Sequence, residues 1–149
     1  MPIKSFRGLL SDGGKQTIHL STNTGSTGYK IKKIAGVPNN PGVATAEHVF
    51  KFYKIPQDTV TASVDFSDQT LLAVMYFTNR DDTLLSAINT VVFDNEVFNQ
   101  DIYVTHSEIS AVGAGTAANY YIELEQIKLD INENTVATLR DIRNITANE

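Results

Sequence analysis

The chain reads as an all-β protein: an antiparallel β-sandwich of jelly-roll-like form, with one short helix near its C-terminus. Three observations predict this. Apolar and polar residues alternate through much of the first two-thirds, turn-forming clusters separate the alternating runs at short intervals, and no long helical repeat interrupts them. With 149 residues, 42% of them hydrophobic, the chain can bury one core without staples, and a single domain over 1–149 is expected.

The strands follow in order. Ile18 and Leu20 alternate with Thr17, His19 and Ser21, and Val60, Ala62, Val64 and Phe66 alternate with Thr61, Ser63 and Asp65. Each pattern is that of a strand with one face on a core and one in water. Val49 to Ile55 is aromatic and β-favouring, with Pro56 as its stop. Leu71 to Phe77 is continuously apolar and reads as a strand buried on both faces. Asp94-Asn95 looks like a hairpin turn between Thr90–Phe93 and Glu96–Phe98. In the segment Tyr120–Asp130, Ile122 and Leu124 share one parity whereas Ile127 and Leu129 have the other. A β-bulge near Glu125-Gln126 would reconcile them; a strand that switches its buried face is the alternative.

Turn chemistry separates these runs. Ser11-Asp12-Gly13-Gly14 supplies residues that tolerate positive φ for a tight reversal, and Asn23–Gly28 supplies another. Val37–Gly42 reads as a longer loop because Pro38 and Pro41 cannot donate to a ladder. Asn79–Asp82 closes the buried strand, and Gly113-Ala114-Gly115 reads as a hairpin tip. After Asp130 the spacing changes: Val136, Leu139 and Ile142 recur every three positions, predicting a short helix over 133–144. Asn132 or Asn134 can cap it and Glu133 suits its positive start. A helix of this length does not persist alone in water, so it must pack on its own domain or on a neighbouring subunit.

The composition excludes several chemistries. There is no Cys, so disulfides, thiolate metal sites and cysteine nucleophiles are absent. The net charge of −5 disfavours a nucleic-acid partner, and the one basic cluster, Lys30, Lys32 and Lys33 with Arg7 and Lys15, reads as a solvated strand face. No apolar run is long enough for a helical membrane span and the start has no signal-peptide pattern, so a soluble protein made in the cytoplasm is expected. His19, His48 and His106 have no second histidine at metal-ligand spacing and read as partly exposed strand or loop residues. Neither a nucleophile elbow nor a phosphate-binding glycine motif occurs. Asp65 with Asp68, Asp81 with Asp82, and Asp94-Asn95-Glu96 are acidic turns that offer calcium oxygen ligands, although none follows a calcium-loop rule. Phe50, Phe52, Tyr53, Phe93, Phe98, Tyr103, Tyr120 and Tyr121 read as core and cross-strand pairs, with a sugar-stacking platform as the alternative. No catalytic residue, cofactor or metal ligand is assigned.

Four stretches carry a resemblance. Ser5-Phe6-Arg7-Gly8-Leu9-Leu10, Asp65–Ala73, Phe93–Tyr103 and the ending, Asn119–Leu124 with Thr135–Asn144, resemble small proteins of tailed, mostly marine, bacteriophages. The resemblance implies a virion structural protein that is not an enzyme, and it brings no catalytic residues. The resulting expectation is a homo-oligomeric capsid decoration or cement protein, made in the host cytoplasm and resident in the virion. Its partners would be the major capsid protein or other virion proteins, with neither nucleic acid nor membrane. A tail, collar or baseplate component and a carbohydrate-binding host-attachment module are the alternatives. Phe6, Leu9 and Leu10 are expected to anchor the N-terminal arm, and Val136, Leu139 and Ile142 to dock the terminal helix.

Overall fold

The computed structural model describes residues 3–20, 27–41, 46–79, 88–93, 97–110 and 117–129. Within them lie eight strands: β1 (Ile3–Leu10), β2 (Lys15–Ile18), β3 (Thr27–Pro38), β4 (Ala46–Tyr53), β5 (Leu71–Asn79), β6 (Ile88–Val92), β7 (Ile102–Ser110) and β8 (Ala118–Lys128). They form two antiparallel sheets, β1-β8-β3 and β2-β7-β4-β5-β6, packed as a sandwich. Among the described residues there is no helix. The expected helix over 133–144, with Val136, Leu139 and Ile142, lies outside them.

Period-two alternation decides which side chains enter the core. Ile31 and Ile34 of β3 and Tyr120, Ile122 and Leu124 of β8 meet Phe50 and Phe52 of β4, Met75 and Phe77 of β5, and Ile102 and Val104 of β7 in one buried cluster. Phe6 and Leu10 pack against that cluster from β1. Leu9 does not: it has the opposite parity and is 51% exposed. Gly36 sits where backbone passes close to this core, since a Cβ there would lie 2.5 Å from Phe77 Cε1.

The continuously apolar run does form a strand buried on both faces. Leu72 and Ala73 both join the main core, because a bulge opposite Phe52/Tyr53 turns two successive residues inward. On the outer side Leu71 and Val74 form a second cluster with Tyr53, against which Phe93 and Tyr103 pack. The chain from Lys54 to Thr70 borders this side, with Lys51 Nζ donating to Ser63 O at 2.7 Å and Lys15 Nζ to Gln57 O at 2.9 Å.

That connection corrects one expectation. Residues 60–66 alternate as a strand would, yet they form none, and Val64 and Phe66 are 42% and 61% exposed. Both edges of β4 are taken, by β5 and β7, so the segment meets no free ladder there. Its polar residues serve local turns instead. Asp65 Oδ1 accepts from the Ser67 N–H and hydroxyl, and Asp68 Oδ1 from the Thr70 N–H and hydroxyl.

Four further expectations also change. The β8 ladder runs without interruption through Glu125 and Gln126; the bulge is on β3, where Lys32 is the extra residue between Ile31 and Lys33. Ile122 and Leu124 are buried inward and Leu129 is buried with the other parity, so the chain switches its buried face. Phe98, the end of the expected second arm, does not pair with Thr90–Phe93. Phe98 exchanges both backbone hydrogen bonds with Tyr29 of β3, at 2.8 and 2.9 Å, while β6 pairs with β5. The strands flanking Gly113-Ala114-Gly115, β7 and β8, belong to different sheets and do not pair as a hairpin; the glycines themselves lie outside the described residues. Finally, Val37 and Pro38 end β3 rather than opening a loop, with Pro38 at the last pair, opposite Ala118.

Candidate functional site

The chain's least expected chemistry is in the core. His48 and His106 were expected to be partly exposed, but both are fully buried. His48 shares the inward parity of Phe50 and Phe52 on β4, and His106 that of Ile102 and Val104 on β7. The four rings form a closed cluster: Phe77 to His48, His48 to His106 and His106 to Phe50 have centroids 5.1, 5.2 and 4.5 Å apart, and Phe50 returns to Phe77 at 6.0 Å. His48 Nδ1 lies 3.0 Å from His106 Nε2, and His106 Nδ1 lies 3.0 Å from Ser11 O.

The donors follow from this geometry. A carbonyl oxygen only accepts, so His106 carries its proton on Nδ1 and presents a bare Nε2. His48 must then donate from Nδ1, which leaves its own Nε2 unprotonated and buried, without a hydrogen-bond partner among the described residues. Burial above all, and the neighbouring His106 charge, lower the His48 pKa from 6.5 to about 4, against an opposing pull from Asp12. His106 is lowered too, chiefly by burial, with the Ser11 and Leu10 carbonyls and Asp12 opposing.

The pair also holds the corner that carries the chain from one sheet to the other. Gly13, at φ +78°, gives that reversal a conformation most side chains resist. Its N–H donates to His106 O, and the His106 N–H donates to Gly14 O, both at 2.9 Å. Asp12 Oδ1 accepts the Glu108 N–H at 2.9 Å. The histidines therefore fasten the β1–β2 corner to β7. No substrate reaches either ring, since neither touches solvent.

A buried lysine lies on the outer side of the five-stranded sheet. Lys51 is 4% exposed, and its Nζ faces Ser63 O, the Thr61 hydroxyl at 3.4 Å and the Tyr53 ring at 5.8 Å. Burial lowers its pKa, partly offset by Asp68, and burial pushes Tyr53 up to about 12.

The remaining candidates are superficial. Lys30 and Lys32 of the basic cluster approach Glu125 at 3.5 and 4.0 Å. His19 lies 3.4 Å from Asp101 at the surface. Of the acidic turns, Asp65 and Asp68 spend a carboxylate oxygen on their own turns; Asp81, Asp82 and Asp94–Glu96 lie outside the described residues. Among the described residues no three His, Asp or Glu side chains converge as a metal site would require. A depression of about 560 Å³ crosses the outer face of the three-stranded sheet, lined by Arg7, Leu9, Ala35, Val37, Asn119 and Tyr121. Most of the singled-out aromatics are core: Phe50, Phe52, Tyr53, Phe98 and Tyr120 are buried, while Phe93, Tyr103 and Tyr121 are half-buried. No described helix is long and apolar enough to cross a membrane.

Sequence reasoning missed the histidine pair, although parity carried a signal. Each histidine sits two residues from a large inward apolar side chain, Phe50 and Val104. Their meeting had no such signal, because 58 positions separate them. No protein-family model matches the chain, and no curated protein matches it.

Proposed function

We propose that the chain is a non-enzymatic structural protein of a phage virion, a homo-oligomer that decorates or cements the capsid by binding the major capsid protein. One observation carries the reading: most of the exposed large apolar residues among the described ones lie on strands, at sheet faces and edges, whereas the buried imidazoles are sealed from any ligand. Leu9, Val37, Ile88 and Ile109 are 51%, 56%, 63% and 49% exposed. Apolar groups placed this way suit contact with another protein surface.

The strand winding supports the finer fold reading, a jelly roll. β8 lies between β1 and β3 in one sheet, β7 lies between β2 and β4 in the other, and Phe98 adds a bridge beside β3. Jelly rolls build viral capsid and lectin domains alike, so the winding alone does not choose a role. The resemblance of Ser5–Leu10, Asp65–Ala73, Phe93–Tyr103 and Asn119–Leu124 to phage proteins favours the virion. Quantitative mass spectrometry of purified particles tests this. Many copies in a simple ratio to the shell subunit support a capsid role; roughly a dozen or fewer at one vertex refute it and favour a tail, collar or baseplate part.

A carbohydrate-binding module is the second reading, favoured by Phe66. The residue is 61% exposed and its ring meets Phe93 edge-on at 5.0 Å, leaving a face for a sugar. Glycan-array binding lost in Phe66→Ala supports it, and silence across the array removes it.

A further inference from the structure

We propose that β6 pairs antiparallel with β6 of a second copy, joining their five-stranded sheets into one; this rests on the homo-oligomeric reading above and names its contact. A sheet edge exposes unpaired N–H and C=O groups, and proteins guard edges with lysine, proline, bulges or brevity. The described edge strands are β1, β3, β2 and β6, and the first three are guarded. β1 carries Lys4 and Arg7, both exposed. β3 carries Lys30, Lys32 and Lys33, has a bulge at Lys32, ends at Pro38 and is bridged at Tyr29 by Phe98. β2 is only 4 residues long and begins with Lys15. β6 reads Ile88-Asn89-Thr90-Val91-Val92, with no charge, no proline and no bulge.

This edge is also open. Ile88, Asn89 and Thr90 are all exposed, so both faces of the strand are uncovered at that end. Ile88, Thr90 and Val92 stand opposite Phe77, Met75 and Ala73 of β5, which places them on the core side of the sheet. Val92 packs against the core, whereas Ile88 is 63% exposed. Among the described residues nothing pairs with the far side of β6.

A second copy fits because the strand is complementary to itself. A two-fold axis at Thr90 sets Thr90 opposite Thr90, Asn89 opposite Val91 and Ile88 opposite Val92, and it keeps every residue on its own face. The core sides of both copies then lie on one side of a continuous sheet of ten strands, five from each copy. Ile88 of each copy gains cover from Val92 of the other, and the two Thr90 side chains form a β-branched pair. No like charges meet, since the strand has none. Any other described edge of a second copy would bring lysine or arginine onto this apolar strand, in a heterologous contact that leaves further edges free. An edge of 5 residues is a small contact, so the pair forms at high protein concentration rather than in dilute solution.

The absence of Cys lets a single Thr90→Cys report the pairing in the full chain. Directly opposed strand residues stand ~4.5–5.5 Å apart between Cα atoms, inside the ~4.4–6.8 Å that a disulfide spans. Under mild oxidation at about 100 µM protein, Thr90→Cys should give disulfide-linked dimer at about tenfold the yield of Ser5→Cys, on the guarded edge β1. Adding Ile88→Lys or Asn89→Lys, both at exposed sites, should remove that excess. Equal yields from Thr90→Cys and Ser5→Cys, or an excess that survives both lysine substitutions, would overturn the β6 contact. Sedimentation of the cysteine-free chain over a concentration series separates the two readings. Association abolished by Ile88→Lys supports both, association unchanged by it overturns the β6 contact alone, and a monomer at every concentration overturns the homo-oligomer as well.

Discussion

Replacing His48 with Phe should make the protein's stability less sensitive to acid. In the folded chain the imidazole is neutral, since its Nε2 faces no acceptor among the described residues and its pKa is lowered to about 4. In the unfolded chain it titrates near 6.5. Between these values the unfolded state binds a proton that the native state refuses, so stability is complete above pH 6.5 and falls as the pH drops toward 4. At about 1.4 kcal/mol for each tenfold change in protonation, His48 accounts for a loss of roughly 3 kcal/mol across that window. For a domain of this size the loss corresponds to a Tm decrease of about 6–12 °C.

His48→Phe keeps a ring against Phe77 but removes the donor to His106 Nε2. The variant should therefore be less stable at neutral pH, by about 1–3 kcal/mol, and the slope rather than the absolute Tm is diagnostic. Thermal unfolding from pH 7.5 to 4.5, wild type minus variant, isolates the His48 term from carboxylates common to both. Some slope persists in the variant because burial also lowers His106, and the two rings titrate as a coupled pair. Identical slopes for the two proteins would refute the reasoning. So would an NMR titration of the His48 ring with a midpoint near 6.5.

Three further outcomes follow from the packing. Gly36→Ala should lower stability by about 1–3 kcal/mol in urea unfolding, because the new methyl meets the rigid Phe77 ring, and an unchanged midpoint would contradict that contact. Lys51→Met keeps the buried stem and removes the charge, so it should cost less than about 1 kcal/mol or stabilise; a loss above about 3 kcal/mol would mean the contacts with Ser63 and Thr61 outweigh desolvation. Asp68→Ala should cost about 1 kcal/mol through the Thr70 turn, with the same loss in calcium and in chelator, whereas a calcium-dependent Tm in the wild type would reveal an ion at the acidic turns.

The candidate site was legible only in fragments. Parity could place His48 beside Phe50 and His106 beside Val104 on inward faces, but a hydrogen bond across 58 positions depends on which strands become neighbours. The Val60–Phe66 segment shows the same limit from the other side. Its alternation is a strand's, but a strand also needs a partner with free hydrogen-bonding groups, and β4 had none left. The bulge was misplaced for a related reason. A bulge belongs to a pair of strands, and the parity break at Ile127 and Leu129 came from a change in covered face rather than from an extra residue in β8.

By itself the amino-acid sequence determined the local terms: all-β character, the shared parity of Ile122 and Leu124 in β8, the double burial of Leu71–Phe77, and the reversal at Gly13. These depend on side-chain period and backbone φ, both of which act over a few residues. Tertiary structure decided which strands share a sheet, where the extra residue in β3 falls, and that two distant histidines meet in a dry core. Those outcomes depend on long-range pairing, because a ladder or a buried hydrogen bond exists only once its other half arrives.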